Sequence, residues 1–495
     1  MPVPSRLQYP ADIEPLVNFI EETPTEVVVE RLLEKLRNGL PLQTALTASA
    51  LAVTRSTDMP SQHHGGPLHS LAGLYATSKL AHRLDGERRF IPVLQHVVLS
   101  NKNIRHPAMG PYQLLEFEPL DAGGVEATKS AFQAAVAWGD YNHTDHLFLS
   151  LWSQMPTIKA FDLLISVAIR KNFHDDHYFI LPGLLWRAFE TGVIDKRYLP
   201  LLMRPVVRYV TRHPIVSDDT IASPMPAIDA LIEKHELLTR VLRQKTGDDE
   251  THEIGRLGEA LGRCDDYGDI PPMIADALAR GLSIEGAGEA LSIGACSLFL
   301  RSQTGNPMDV HLHTSANLRR YLLGVDGLSV SNKLLLLLTW HTGPEIRLTQ
   351  SRMDPAQRST QPTAPSEPGR SQAGLLDAII QSIHAQPPTD WSKVVSQDLM
   401  LAVPEVKTTV NLTQYYVQHG YNSEALIGKL AEIACHDDFT ETHAVKHHQS
   451  IVEEFHTTRE PWRWMHLVCG AKAAAISFGK STAVYEEYLK LATAA

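Results

Sequence analysis

Cysteine is scarce: Cys264, Cys296, Cys435 and Cys469 are the only four in 495 residues, and no two lie close enough in sequence to form a CxxC knuckle or redox pair. A disulfide framework or zinc ribbon is therefore not expected. Long apolar runs are missing too. The longest, around residues 334–338, is far too short to cross a bilayer, and residues 1–18 carry charges and prolines where an export signal would be continuously apolar. The expectation is a soluble, cytoplasmic protein that does not associate with membranes. Positive charge is in deficit, 45 Lys and Arg against 56 Asp and Glu for a net −11, which argues against a broad cationic surface for nucleic acid. HExxH, GxSxG and GxxxxGK[ST] motifs are absent. Gly286-Ala287-Gly288 lacks the third glycine and the preceding strand of a dinucleotide fingerprint, so it reads as a helix-packing or turn feature.

What is present is an ordinary globular composition, 43% apolar and 20% charged, which excludes extended disorder for most of the chain. Apolar residues recur at three- and four-residue intervals over 27–36, 71–84, 127–138, 158–169, 227–242, 274–290, 425–434 and 471–491, the period of an amphipathic helix. Two-residue alternation is short and rare. The fold class expected is mainly α, a large helical array or multi-bundle fold with a shared central cavity. No strict repeat of 30 to 50 residues points to a regular solenoid. Residues 351–373 are rich in Pro, Ser, Thr and Gln and nearly devoid of apolar side chains, so they read as a linker or mobile loop. They would separate a large helical domain, 1–350, from a C-terminal helical part, 374–495, that packs on it.

Histidine is the compositional oddity, with 24 against 13 Phe and 7 Trp. Imidazole is the commonest metal ligand and the side chain best matched to proton transfer near neutral pH. Four segments place one at the head of an apolar helix: His69 in HSLAGLYA, His177 in HYFILPGLL, His311 in HLHTSANLRRYLL and His443 in HAVKHHQSI. If these helices pack as bundles, each contributes one inward ring to a common cavity; the alternative is four separately satisfied core histidines. The pairs His143/His146, His174/His177 and His443/His447 share a helical face. Asp175, Asp176, Asp437 and Asp438 beside them would ligate metal, orient an imidazole, or simply cap helices.

Other groups are weaker signals. Glu285 and Glu289 stand four apart on a helix of small residues, either as a buried base or ligand or, the favoured reading, as a solvent-facing stripe. Lys446, three residues after His443, would offer a cation to an oxyanion or enolate or snorkel to solvent. Tyr75, Tyr178, Trp186, Trp462 and Trp464 would line a pocket for a flat ligand or pack the core. A di-iron bundle needs two Glu-x-x-His motifs, and only Glu453–His456 has that spacing clearly.

HHGGPLHSLAGLYA, the His177-headed helix, HLHTSANLRRYLL and HAVKHH follow one another in an order that resembles questin oxidase-like proteins, over roughly residues 60 to 475. The resemblance implies a mainly helical oxidoreductase that uses dioxygen on a polycyclic, electron-rich phenol or quinone, with Baeyer–Villiger-type ring opening and no flavin motif. It carries over to His69, His177, His311, His443 and Lys446. The chain departs from the family pattern around residues 143–177 and at the linker.

The functional expectation is thus an oxygen-using oxidoreductase acting on a small or polycyclic aromatic molecule. His177, His443 and Lys446 are the expected catalytic residues. His69, His177, His311 and His443 are the expected ligands if a redox metal, iron or copper, is bound; in the metal-free version the imidazoles act as bases that generate an oxygen-reactive anion. The alternatives are a non-catalytic helical scaffold and a metal or haem protein, although no CxxCH attachment site exists.

Overall fold

The computed structural model describes residues 5–57, 68–106, 113–116, 118–212, 222–302, 307–351, 371–385, 406–436, 441–478 and 482–493. Among them the fold is mainly α, with an isolated bridge between Arg6 and Leu115. The chain divides into two compact units, one of Met1–Ala222, Gly327–Asn332 and Ala483–Ala495, the other of Ser223–Asp326 and Lys333–Thr482. Most of the segment read as a linker, 352–370, lies outside the described residues, and the helices on either side of it belong to the same unit.

The first unit holds α1 (Glu14–Glu22), α2 (Val28–Arg37), α3 (Leu42–Ser56), α4 (His69–Arg83), α5 (Phe90–Asn103), α6 (Val125–Trp138), α7 (Tyr141–Gln154), α8 (Thr157–Lys171), α9 (His177–Glu190) and α10 (Leu199–Thr211). The second holds α11 (Met225–Lys234), α12 (Thr251–Gly262), α13 (Ile270–Ala279), α14 (Ile284–Arg301) and α15 (His311–Leu323); α16 (Val330–Leu338) spans the boundary. The second unit continues with α17 (Pro344–Ser351), α18 (Gln372–His384), α19 (Val406–Gln418), α20 (Ser423–Ala434), α21 (His443–Thr457) and α22 (Trp464–Ser477), and α23 (Ala483–Thr493) returns to the first.

Helical periodicity translates directly into burial. In α2, Val28, Val29, Leu32, Leu33 and Leu36 form the buried stripe while Glu30, Lys35 and Arg37 lie on the outer face. Three expected helices end or break earlier than their apolar pattern. The 227–242 pattern stops at Lys234, followed by Glu236 in the left-handed region at φ 53°. The 274–290 pattern is cut at Gly281, whose φ of 106° suits glycine and ends α13. Ser283 then starts α14, its Oγ accepting the Gly286 N–H at 2.9 Å. The 471–491 pattern divides into α22 and α23.

Small residues set how closely the helices of the second unit approach. A Cβ on Gly294 of α14 would lie 2.6 Å from the Leu261 Cβ of α12, and one on Gly288 would lie 2.6 Å from Leu323 of α15. The Gly286–Gly288 segment is thus a helix-packing feature, as its sequence suggests. On its other edge α15 packs against α21, which in turn packs on α22. In the first unit, α4 packs against α5 and α9, and α9 against α10. These contacts bring the histidine heads of the helices together.

Candidate functional site

In the first unit, packing of α4 on α9 sets two helix-head imidazoles against each other. His69 Nε2 and His177 Nε2 are 2.8 Å apart, with ring centroids at 4.8 Å. On the far side of His177, Nδ1 lies 2.6 Å from Asp175 Oδ1, which also accepts the His177 backbone N–H at 2.9 Å. The Tyr209 hydroxyl of α10 donates to Asp175 Oδ2. Because Nδ1–H donates to the carboxylate, His177 Nε2 is the acceptor and His69 Nε2 carries the shared proton; the tautomers are assigned from this network. Burial pushes the Asp175 carboxyl up, but the neighbouring His177 and the bonds from His177 and Tyr209 outweigh it and hold the acid well below the ordinary carboxylate range. Burial and Asp175 push the Tyr209 phenol well above its usual range, so it remains a donor. His69 is 4% exposed, and the His177 side chain retains 12% exposure.

In the second unit, α15 and α21 make the corresponding pair. His311 Nε2 and His443 Nε2 are 3.1 Å apart in an edge-to-face arrangement, and both rings are buried. The four expected histidines therefore fall two to each unit. Lys446 is on the first turns of α21 with His443 and is 7% exposed. Among the described residues no acceptor receives its ammonium; burial lowers it to about 7, opposed by Glu441.

The pairing along these two helices continues beyond the expected residues. His313 Nδ1 lies 3.2 Å from His447 Nε2, and His313 Nε2 lies 2.9 Å from His466 Nδ1 of α22. His466 Nε2 is 3.0 Å from the Thr458 hydroxyl, to which Arg320 also donates at 2.9 Å. Glu454 accepts from Ser292 at 2.6 Å, Asn317 at 2.8 Å and Arg320 at 2.5 Å. Partners advance together, from His311/His443 through His313/His447 to Asn317/Glu454 and Arg320/Thr458, so the two helices run in the same direction. His313 uses both ring nitrogens, which makes the trio a hydrogen-bonded chain and not three ligands around one ion. Burial pushes His313 down to about 4 and takes His447 and His466 well below their usual range. His447 also lines a cavity of about 30 Å³, room for about one water molecule.

The sequence reading missed this trio because its members are 134 and 153 residues apart. It likewise missed Cys296 and Cys469, 173 positions apart, whose free thiols meet with sulfurs at 3.0 Å.

The other expected groups have separate partners. His143 pairs with Asp140 at 2.7 Å, and His146 donates to the Glu118 carbonyl at 3.2 Å. Glu289 is not part of a solvent-facing stripe. It is buried and held by the Arg459 backbone N–H at 2.8 Å and guanidinium at 3.0 Å, while Glu285 pairs with Lys245 at 2.8 Å. His456 pairs with Glu424 at 3.4 Å, away from the bonds Glu453 makes to Gln449 and Asn317. Trp186 stacks on Phe161 in the core at 4.1 Å. Asp437 and Asp438 lie outside the described residues.

Fold and sites together define an all-α protein whose two units each enclose a helix-head histidine pair. No family model, curated protein or solved structure matches the chain. No described helix is long and apolar enough to cross a membrane.

Proposed function

We propose that the protein is an oxygen-using oxidoreductase in which the Asp175–His177–His69 chain removes a proton from an acidic organic substrate, a polycyclic phenol, leaving an electron-rich anion that reacts with dioxygen. The carrying observation is the orientation of His177. Its Nδ1–H is committed to a carboxylate at 2.6 Å and its Nε2 faces a second imidazole at 2.8 Å. A proton taken up by His69 can cross that contact and settle on His177, where Asp175 stabilises the imidazolium. Tyr209 fixes the carboxylate in place. The base is argued from this geometry; dioxygen and the phenol class rest on the resemblance of the four histidine-headed segments.

A metal-assisted version has one observation in its favour, since a carboxylate behind a histidine is a common way to orient a ligand. Iron or copper held by His69 and His177 would supply redox chemistry. Two nitrogens bound to one ion at ~2.1 Å and a tetrahedral angle lie ~3.4 Å apart, and the observed 2.8 Å suits an N–H···N bond better. The metal-free version is accordingly preferred.

Oxygen uptake by the full chain with 1,8-dihydroxyanthraquinone as probe tests the reading, alongside elemental analysis of protein purified without a nickel column. Uptake without stoichiometric iron or copper, reduced by ~10²-fold or more in His177→Ala, is expected. No uptake by folded wild-type protein on this and related hydroxylated polycycles would overturn it, and a non-catalytic scaffold would then be the better account.

A further inference from the structure

We propose that Cys296 of α14 and Cys469 of α22 are a modification site, a thiol pair that a hydroperoxide closes to a reversible disulfide, bracing the two helices against each other. Three observations in the second unit meet there.

The first is distance. The two sulfurs are 3.0 Å apart, about 1 Å beyond the length of a disulfide bond, so closure asks for only a small shift. Cys264 is placed differently, its thiol donating to the Asp266 carbonyl at 2.8 Å.

The second is the register that holds the sulfurs together. Lys472, one turn after Cys469, donates to the Phe299 and Ser302 carbonyls at 2.6 and 2.7 Å and to the Ser302 hydroxyl at 3.1 Å. Phe299 lies one turn after Cys296, and Ser302 caps the end of α14. Positions three apart share a helical face, so the bonds that fasten α14 to α22 also turn both thiols into the same seam.

The third is the setting. Both thiols are fully buried, with each other and, at 3.6 Å, the Cys296 carbonyl as partners. A buried S–H is a weak donor with weak acceptors here, whereas a disulfide has no donor to satisfy, so the dry seam favours the closed form. Burial, and then the Cys469 contact, hold the Cys296 thiol well above its usual range. It stays protonated and slow toward bulky thiol reagents, while hydrogen peroxide is small enough to enter when the seam opens locally. Ser292, one turn before Cys296, donates to Glu454, and His466, one turn before Cys469, bonds His313. The cross-link would pin the turns that carry both contacts.

Atoms and electrons balance with one peroxide. The first thiol gives up its proton and its sulfur attacks a peroxide oxygen; the O–O bond breaks, leaving a sulfenic acid and a hydroxide that takes the proton as water. The second sulfur then attacks the sulfenic sulfur, and the S–O bond breaks as hydroxide leaves with the second thiol's proton as water. Two thiols are oxidised by two electrons and the peroxide is reduced. Nothing is needed from His177, so either assignment can fail alone.

The test exposes the full chain, reduced and freed of reductant, to hydrogen peroxide, then unfolds it in an alkylating agent and maps the peptides without reduction. A peptide pair joined through Cys296 and Cys469, absent before peroxide and after dithiothreitol, is the expected product. Finding both thiols alkylated after peroxide, or oxidised separately without a cross-link, overturns the proposal, and this is read on wild-type protein whether or not a variant folds. The peroxide-treated chain should also show a higher urea midpoint, reversed by dithiothreitol, since the bond closes a loop of 173 positions; an equal or lower midpoint in cross-linked protein overturns the bracing. Cys296→Ala and Cys469→Ala, checked for helicity by circular dichroism, should each abolish the joined peptide and the rise in midpoint. A rise that survives in either folded variant also overturns it.

Discussion

A single carboxylate decides what His177 is. With Asp175 accepting the Nδ1–H at 2.6 Å, Nε2 is left facing His69. Asp175→Asn keeps the shape and removes the charge that stabilises imidazolium. Oxygen uptake with the anthraquinone probe should fall by ~10–100-fold, the usual effect of losing a group that orients a functional histidine, and the His177 midpoint followed by NMR should move to lower pH. An unchanged midpoint would mean that the carboxylate does not govern the ring. Asp175 was legible in HDDH as a candidate orienting group beside the alternative of an N-cap. Tyr209 was not, because nothing in the pattern of α10 distinguishes a phenol that meets a carboxylate from one packed in the core.

At the level of the element, the head of α21 carries the most unusual local structure. Two consecutive left-handed residues precede His443, and neither is glycine. Left-handed geometry costs an ordinary residue about 1–2 kcal/mol, and the buried, unbonded Thr442 hydroxyl adds a desolvation cost. Thr442→Gly removes both, against a larger loss of chain entropy on folding, because glycine is freer in the unfolded state. The expected net effect is stabilisation by about 1 kcal/mol, measured as an upward shift in urea midpoint at constant slope. A downward shift would show that the threonine side chain supports the turn. The helices themselves were legible from their 3.6-residue period. Their ends were less so, since Glu236 and Gly281 stop helices through backbone conformation while the apolar pattern runs on.

For the whole molecule, the buried histidine chain sets a pH limit. His313 titrates in the folded protein near 4 against an ordinary 6.5, and His447 and His466 are also depressed by burial. Below pH 6.5 the unfolded chain binds protons that the folded rings exclude, so stability is complete above that value and declines as pH falls toward 4. His313 alone accounts for about 3 kcal/mol over this window. Glu454, held at about 2 by Arg320 against the effect of burial, extends the loss below the ordinary glutamate range near 4.5. Denaturant unfolding between pH 7 and 4 should show this decline, and His313→Gln should flatten it. An equal decline in that variant would place the acid sensitivity elsewhere.

Taken alone, the sequence determined the all-α class, most of the helical segments and which histidines stand at helix heads. All of these depend on spacing within a few turns, where side-chain direction follows from the helical period. Tertiary structure decided which rings meet: His69 with His177, His311 with His443, and His313 with both His447 and His466. It also decided that Glu289 is buried against Arg459 and that two distant thiols touch. The physical reason is range. Helical period is a local property, whereas an imidazole's partner is chosen by the packing of helices more than a hundred residues apart.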